Sequence, residues 1–206
     1  MNHRTVHLFV FDGMADWEAA FAIASIHNPR LQRQPGRYRV QTVARSLTPV
    51  ATMGGMRILP DITVDEVCPA RSSLLILPGG ELWETGGNLE ALERAHAFVD
   101  AGVPVAAICA ATLALARIGL LDDRMHTSND GAYLSASGYR GASYYCDVPA
   151  IADRNVITAS GLAPLEFALE ILRLLDLYPS ATLEAWYALH KHGDAAKFYE
   201  MAATAA

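Results

Sequence analysis

Apolar residues along this chain come in two rhythms. Short apolar runs end abruptly at Gly, Pro or Asp, and longer Ala/Leu-rich stretches follow many of them with apolar positions at helical spacing. Thr5–Phe11 is a β-rich run stopped by Asp12-Gly13 and predicts a first strand. Asp16 is placed to cap a helix from Trp17 to about Ile26. Arg37–Ala44 alternates as a second strand, and the turn-rich stretch Pro49–Pro60, centred on Gly54-Gly55, predicts a hairpin at the sheet edge. Asp61–Val67 reads as a short capped helix or a turn. Leu74–Leu77 is continuously apolar, as a strand buried on both faces should be, and halts at Pro78-Gly79-Gly80. Leu89–Ala101 predicts an amphipathic helix with Leu89, Leu92, Ala95 and Phe98 on its inner face. Val103–Ile108 predicts another buried strand, and the sequence beyond Cys109 a helix ending near Gly119. Met125–Ser128 reads as a short strand or its end, with a helix from about Asp130 and a loop over Gly138–Tyr145. Asn155–Ala159 predicts the last strand, Leu165–Leu177 an apolar helix, and Thr182–Ala203 one or two more.

Strands alternating with helices predict an α/β three-layer sandwich: a mostly parallel, flavodoxin-like sheet with helices on both faces. The 206 residues suit a single domain over residues 1–206, with no repeat, low-complexity tract or linker. Composition narrows the function classes. Hydrophobic residues make up 52% and charged residues 18%, which excludes a disordered chain, and the formal charge of −6 without a Lys/Arg cluster argues against direct nucleic-acid binding. The apolar stretch from Gly102 to Leu121 is interrupted by Arg117 and divides into strand and helix, so no membrane span is expected. The N-terminal apolar run ends at Asp12, too soon for a secretory leader, and the three cysteines are odd in number and widely spaced. Both point to reduced thiols in a cytoplasmic protein.

The chemistry concentrates at Cys109. It stands at a strand-to-helix junction with Ala107 two residues before it and Ala111 two residues after, the layout of a nucleophile elbow. A sulfur there lies at a helix N-terminus, which favours a thiolate, and the Ala110 amide points where an oxyanion would form. In an open parallel sheet, ligands bind beyond the carboxyl ends of the strands. Asp16 and Glu18, Gly79-Gly80, and His126 fall near that same edge. Glu18 can act as a protonated hydrogen-bond donor to sulfur, Gly79-Gly80 can present an oxyanion-binding amide, and His126 can serve as base or as an imidazolium beside the thiolate. Trp17 and Trp83 are candidates for the pocket wall, and Asp130 and Asp147 for orienting His126. His190 and His192, two apart on a helix, do not share a face and are not expected to hold a metal.

Taken together, Phe11-Asp12-Gly13 leading to Glu18, Leu77-Pro78-Gly79-Gly80, Ala106-Ala107-Ile108-Cys109, His126-Thr127-Ser128-Asn129 and Thr158-Ala159-Ser160-Gly161 resemble the ThiJ/PfpI superfamily, which has the fold of class I glutamine amidotransferases. The resemblance implies Cys109 as nucleophile, Glu18 as its protonated partner, His126 as third member, and Gly80 and Ala110 amides as the oxyanion hole. It further implies a homodimer that needs no metal or organic cofactor. Glutamine amidotransferases carry a His-x-Glu pair after the last core strand, whereas this chain has Leu162-Ala163-Pro164-Leu165-Glu166, so glutaminase chemistry is not expected. Three functions remain in view: a cysteine-dependent hydrolase or lyase acting on a small amide, ester or 2-oxoaldehyde, an oxidation sensor built on Cys109, and a non-catalytic binding protein.

Overall fold

A computed structural model describes residues 4–203 of the chain. Its strands are β1 (Arg4–Phe9), β2 (Tyr38–Ala44), β3 (Val50–Ala51), β4 (Arg57–Ile58), β5 (Ile62–Thr63), β6 (Ser72–Leu77), β7 (Val105–Ile108), β8 (Ala150–Asp153) and β9 (Val156–Ala159). Seven of them form the central sheet, in the order β5-β2-β1-β6-β7-β9-β8, while β3 and β4 make a separate antiparallel pair. All pairings in the central sheet are parallel except β8 with β9. Residues of β6 and β7 are buried on both faces, which explains their unbroken apolar sequence.

Helices α1 (Ala20–His27), α6 (Pro164–Leu174), α7 (Ser180–His192) and α8 (Ala195–Ala203) pack with one another as one layer. On the other side α2 (Glu81–Glu84), α3 (Leu89–Asp100), α4 (Ala110–Arg117) and α5 (Gly131–Ser135) associate around β7. The core between sheet and helices contains Trp83, Phe98, Phe167, Leu115 and Ile157, all fully buried. No helix among the described residues is long and apolar enough to cross a membrane.

Several local expectations need correction. The first helix begins at Ala20 and has no side-chain cap; Asp16 instead accepts a 2.7 Å hydrogen bond from the Gly54 amide. The β3–β4 hairpin is thereby folded onto the β1–α1 connection rather than projecting from an edge, with Gly13 donating to Ala51 and Met53 to Met14. Asp61–Val67 does hold the expected short capped helix, a 3₁₀ turn over Val64–Glu66 whose Thr63 and Glu66 cap each other, but the residues before it, Ile62–Thr63, form the edge strand β5. On α3, Ala91, Leu92, Ala95 and Phe98 are buried but Leu89 is exposed, because it opens the helix beyond the reach of the sheet. Met125–Ser128 contributes only an isolated bridge between His126 and Tyr145. The antiparallel β8 has no counterpart among the expected strands, since Ala150–Asp153 is short and half-exposed.

The strand order begins in the middle and grows outward in both directions. The connection from β1 runs toward β2 and that from β6 toward β7, so the two loops diverge at the β1/β6 boundary and leave a crevice beyond their carboxyl ends.

Candidate active site

Four neighbouring strands deliver the residues of this crevice. The loop after β1 carries Glu18, that after β6 carries Gly79 and Gly80, β7 leads into Cys109, and β9 leads into Gly161. Cys109 has φ 58° and ψ −129°, a left-handed conformation that non-glycine residues rarely take. The surrounding bonds hold it there: its N–H donates to the Ala159 carbonyl at 3.0 Å, and its own carbonyl accepts from the Thr112 amide at 3.1 Å and the Thr112 hydroxyl at 2.6 Å. Thr112 is completely buried and also hydrogen-bonds Ser128. The elbow expected from the alanines on either side of Cys109 is therefore present, and its strain is of the kind that concentrates at functional sites.

The elbow is packed so closely that glycine is required around it. A Cβ on Gly79 would lie 2.7 Å from Cys109 Cβ and 2.8 Å from a Glu18 carboxylate oxygen, and one on Gly161 would lie 2.9 Å from Cys109 Sγ. Glu18 is only 1% exposed and accepts a 2.5 Å hydrogen bond from the Gly79 amide. It sits in the turn ahead of α1, not in the helix, so no helix terminus explains a carboxyl group there. Burial pushes its ionisation up to about 7, against the lowering effects of the Gly79 amide and of its hydrogen bond with Cys109. The Cys109 thiol is also raised, first by burial and then by the Glu18 charge, while Asn129 and the Ala110 amide pull it down. The helix terminus alone does not depress the thiol, because its neighbour is an acid in the same buried space. Two buried groups in contact that compete for one negative charge titrate as a pair.

The third residue on the sulfur is Asn129. Its amide nitrogen donates to Cys109 Sγ at 3.4 Å, and its oxygen accepts from the Gly161 amide at 2.8 Å. His126, three residues earlier, is not brought to the sulfur. It is fully buried, Nδ1 donates to the Arg124 carbonyl at 2.8 Å, and Nε2 pairs with the Tyr139 hydroxyl at 3.0 Å. Tyr139 and Tyr145 pack edge-on against the ring. Burial lowers its pKa and so disfavours the imidazolium, and both nitrogens are committed to partners other than the sulfur, so the expected role as base or imidazolium does not fit this placement. Neither Asp130 nor Asp147 orients it: Asp130 caps α5 by accepting from the Ala132 and Tyr133 amides, and Asp147 is exposed.

The oxyanion assignments divide as well. The Gly79 amide is taken by Glu18, so it positions the acid. The Ala110 amide reaches the sulfur at the start of α4. Gly80 directly precedes α2, and a Cβ there would meet the Gly13 carbonyl at 2.9 Å, so the chain can pass only as glycine. Trp83 is a core residue, packed on Phe9 and Phe11 with Nε1 donating to the Pro78 carbonyl, whereas Trp17 is half-exposed beside Glu18. Cys68 and Cys146 are free thiols away from these contacts. Among the described residues, no group of three or more His, Cys, Asp or Glu is placed to hold a metal ion.

Comparison with known proteins agrees with this architecture. A Bacillus subtilis protein named "uncharacterized protease YoaZ" is 40% identical over 204 residues, covering 98% of this chain and 97% of its own. The Caenorhabditis elegans glutathione-independent glyoxalase DJR-1.2 is 30% identical over 145 residues, covering 68% of this chain and 75% of its own. The crystal structure of a thiJ/pfpI family protein from Bacillus anthracis superposes with a TM-score of 0.92 at 40% identity, covering 98% of each chain. The DJ-1/PfpI family model matches residues 4–174, which takes in every residue placed around Cys109, and the chain belongs to that family.

Proposed function

We propose that this protein is a cysteine-dependent enzyme that converts small 2-oxoaldehydes to 2-hydroxy acids, with Cys109 as nucleophile and Glu18 as the acid and base. The observation that carries this reading is a buried carboxyl group, pushed up to about 7, hydrogen-bonded to the thiol of a strained elbow cysteine. A general acid–base group works best when its pKa lies near the working pH. Asn129 can donate to the sulfur but cannot accept its proton, so proton movement falls to Glu18.

In this scheme the Glu18–Cys109 pair reacts as thiolate and carboxylic acid. Sulfur bonds to the aldehyde carbon while Glu18 protonates the aldehyde oxygen, giving a hemithioacetal. Glu18, now a carboxylate, removes the proton on that carbon, and the electron pair moves onto the adjacent ketone to form an enediolate. Return of the proton to the second carbon leaves a thioester of the 2-hydroxy acid, and water cleaves it to release Cys109. The sum is addition of one water with no external oxidant or reductant. The Ala110 and Gly80 amides would meet the oxygen that becomes negative. The glyoxalase activity in the name of the C. elegans relative supports this substrate class. The protease in the name of the B. subtilis relative makes amide cleavage by the same thiol the competing chemistry.

The test is turnover of methylglyoxal, followed by appearance of lactate, beside cleavage of an unstructured peptide. Wild-type protein is expected to form lactate, Cys109→Ser to form none, and Glu18→Gln to be slowed by about 10²–10⁴-fold. Lactate formation that survives in Cys109→Ser, or peptide cleavage without lactate formation, overturns the assignment. A second reading, oxidation sensing, draws on the same hydrogen bond, since a protonated Glu18 is placed to hold a cysteine sulfinate. Peroxide treatment followed by intact mass separates it: two oxygens gained at Cys109, with their retention lost in Glu18→Gln, in a protein that does not turn over 2-oxoaldehydes.

A further inference from the structure

At the opposite end of the sheet from Cys109, the amino ends of the central strands border a groove of about 820 Å³. Its lining includes Arg4, Arg39 and Arg71 and contains no carboxylate. The three arginines come from three adjacent places in the sheet: Arg39 from β2, Arg4 from β1, and Arg71 from the turn directly before β6. Register brings their backbones level, since Arg4 stands opposite Tyr38, and Thr5 stands opposite both Arg39 and Ser72. With side chains alternating along a strand, Arg39 shares the face of Thr5 and Ser72 while Arg4 leaves from the other face, so the groove takes them from both sides of the strand ends. Neighbouring strands are about 4.8 Å apart, so the three Cα positions span only about 10 Å across the sheet.

A cluster of like charges is unfavourable unless an anion relieves it. None of these three guanidinium groups forms an ion pair among the described residues, although seven other arginines of the chain do. Arg39 makes only a long contact to the Thr5 hydroxyl at 3.5 Å, and Arg37 lies over the ring of Tyr38 beside the groove. The whole chain is acidic, with a formal charge of −6, so this positive concavity runs against its surroundings. Thr5, Ser72 and Ser73 add hydroxyl groups to the lining.

We infer that this groove is a binding site, separate from the Cys109 crevice, for a small polyanion carrying two or more linked phosphates. Guanidinium forks match phosphate oxygens in pairs, and several of them lining one groove from both sides of the strand ends suit linked phosphoryl groups better than a single one.

Inorganic tripolyphosphate is the probe, titrated by calorimetry into the full chain at low and at physiological salt. One saturating site per chain is expected, weakened by salt. Arg39→Ala and Arg71→Ala should each weaken binding about tenfold or more, while Arg57→Ala on the hairpin leaves it unchanged. Orthophosphate at the same ionic strength should bind much more weakly. Iodoacetamide labelling of Cys109 reports that each variant is folded. The inference fails if tripolyphosphate gives no saturable binding, or if Arg57→Ala weakens it as much as Arg39→Ala does.

Discussion

Replacing Glu18 by glutamine tests the site through stability as well as chemistry. Glu18 ionises at about 7 in the folded protein, against an ordinary value of 4.5, because it is buried. Between those two values the folded state holds a proton that the unfolded chain has already released. Stability therefore falls as pH rises from 4.5 to 7 and stays reduced above it. At about 1.4 kcal/mol for each tenfold in proton affinity, that interval amounts to about 3 kcal/mol. A glutamine in its place would keep the size of the side chain and an oxygen to accept from the Gly79 amide, but would carry no charge at any pH. Glu18→Gln is thus expected to match wild type near pH 4.5 and to be more stable by up to about 3 kcal/mol at about pH 8. For a domain of this length the gain corresponds to roughly 6–12 °C in melting temperature. Thermal or urea unfolding of both proteins across about pH 4.5–8.5 measures it. The same variant should lose the step near pH 7 in the rate of Cys109 alkylation, leaving one thiol ionisation without the Glu18 charge beside it. A stability difference that does not change with pH, or an alkylation step near 7 that survives, refutes the placement of this ionisation on Glu18.

Other substitutions probe the parts separately. Cys109→Gly should relieve the backbone at φ 58°, worth about 1–3 kcal/mol, less about 1 kcal/mol for glycine's extra freedom, so the urea midpoint should hold or rise while reactivity at this position vanishes. Asn129→Ala removes a hydrogen bond that lowers the thiol pKa and should slow alkylation at about pH 7 roughly tenfold, with the pH profile moved upward. His126→Ala should leave that profile in place yet cost about 2–3 kcal/mol of stability, because it removes a buried ring and leaves Tyr139 unpaired; a profile that moves instead would tie His126 to the thiol after all. Gly161→Ala should slow Cys109 alkylation at least tenfold, since its Cβ would stand 2.9 Å from Sγ, and unchanged labelling would show that the loop yields.

Much of this protein is legible in one dimension. Leu74–Leu77 and Val105–Ile108 are apolar without interruption because both faces of a central parallel strand are covered, and that signature needs no partner to be recognised. The small residues around Cys109 announce a sharp turn for a similarly local reason: a tight approach of strand and helix excludes larger side chains. β8 and the true start of α1 are hidden from local reading, since each depends on what packs against it: β8 pairs with β9, and Asp16 is drawn from its helix to the hairpin amide of Gly54. The choice between His126 and Asn129 likewise lies beyond local reading. Both are polar residues on one short segment, and the ring turns inward because the Arg124 carbonyl, Tyr139 and Tyr145 satisfy it there, which leaves Asn129 to meet the sulfur. Glu18 can be named from sequence as the acid, but its ionisation near 7 comes from burial against Gly79 and Cys109, residues distant in sequence. Sequence determined the central parallel strands, the elbow and the residue types available for chemistry; the tertiary structure decided which of them share a dielectric environment, and so where the proton resides.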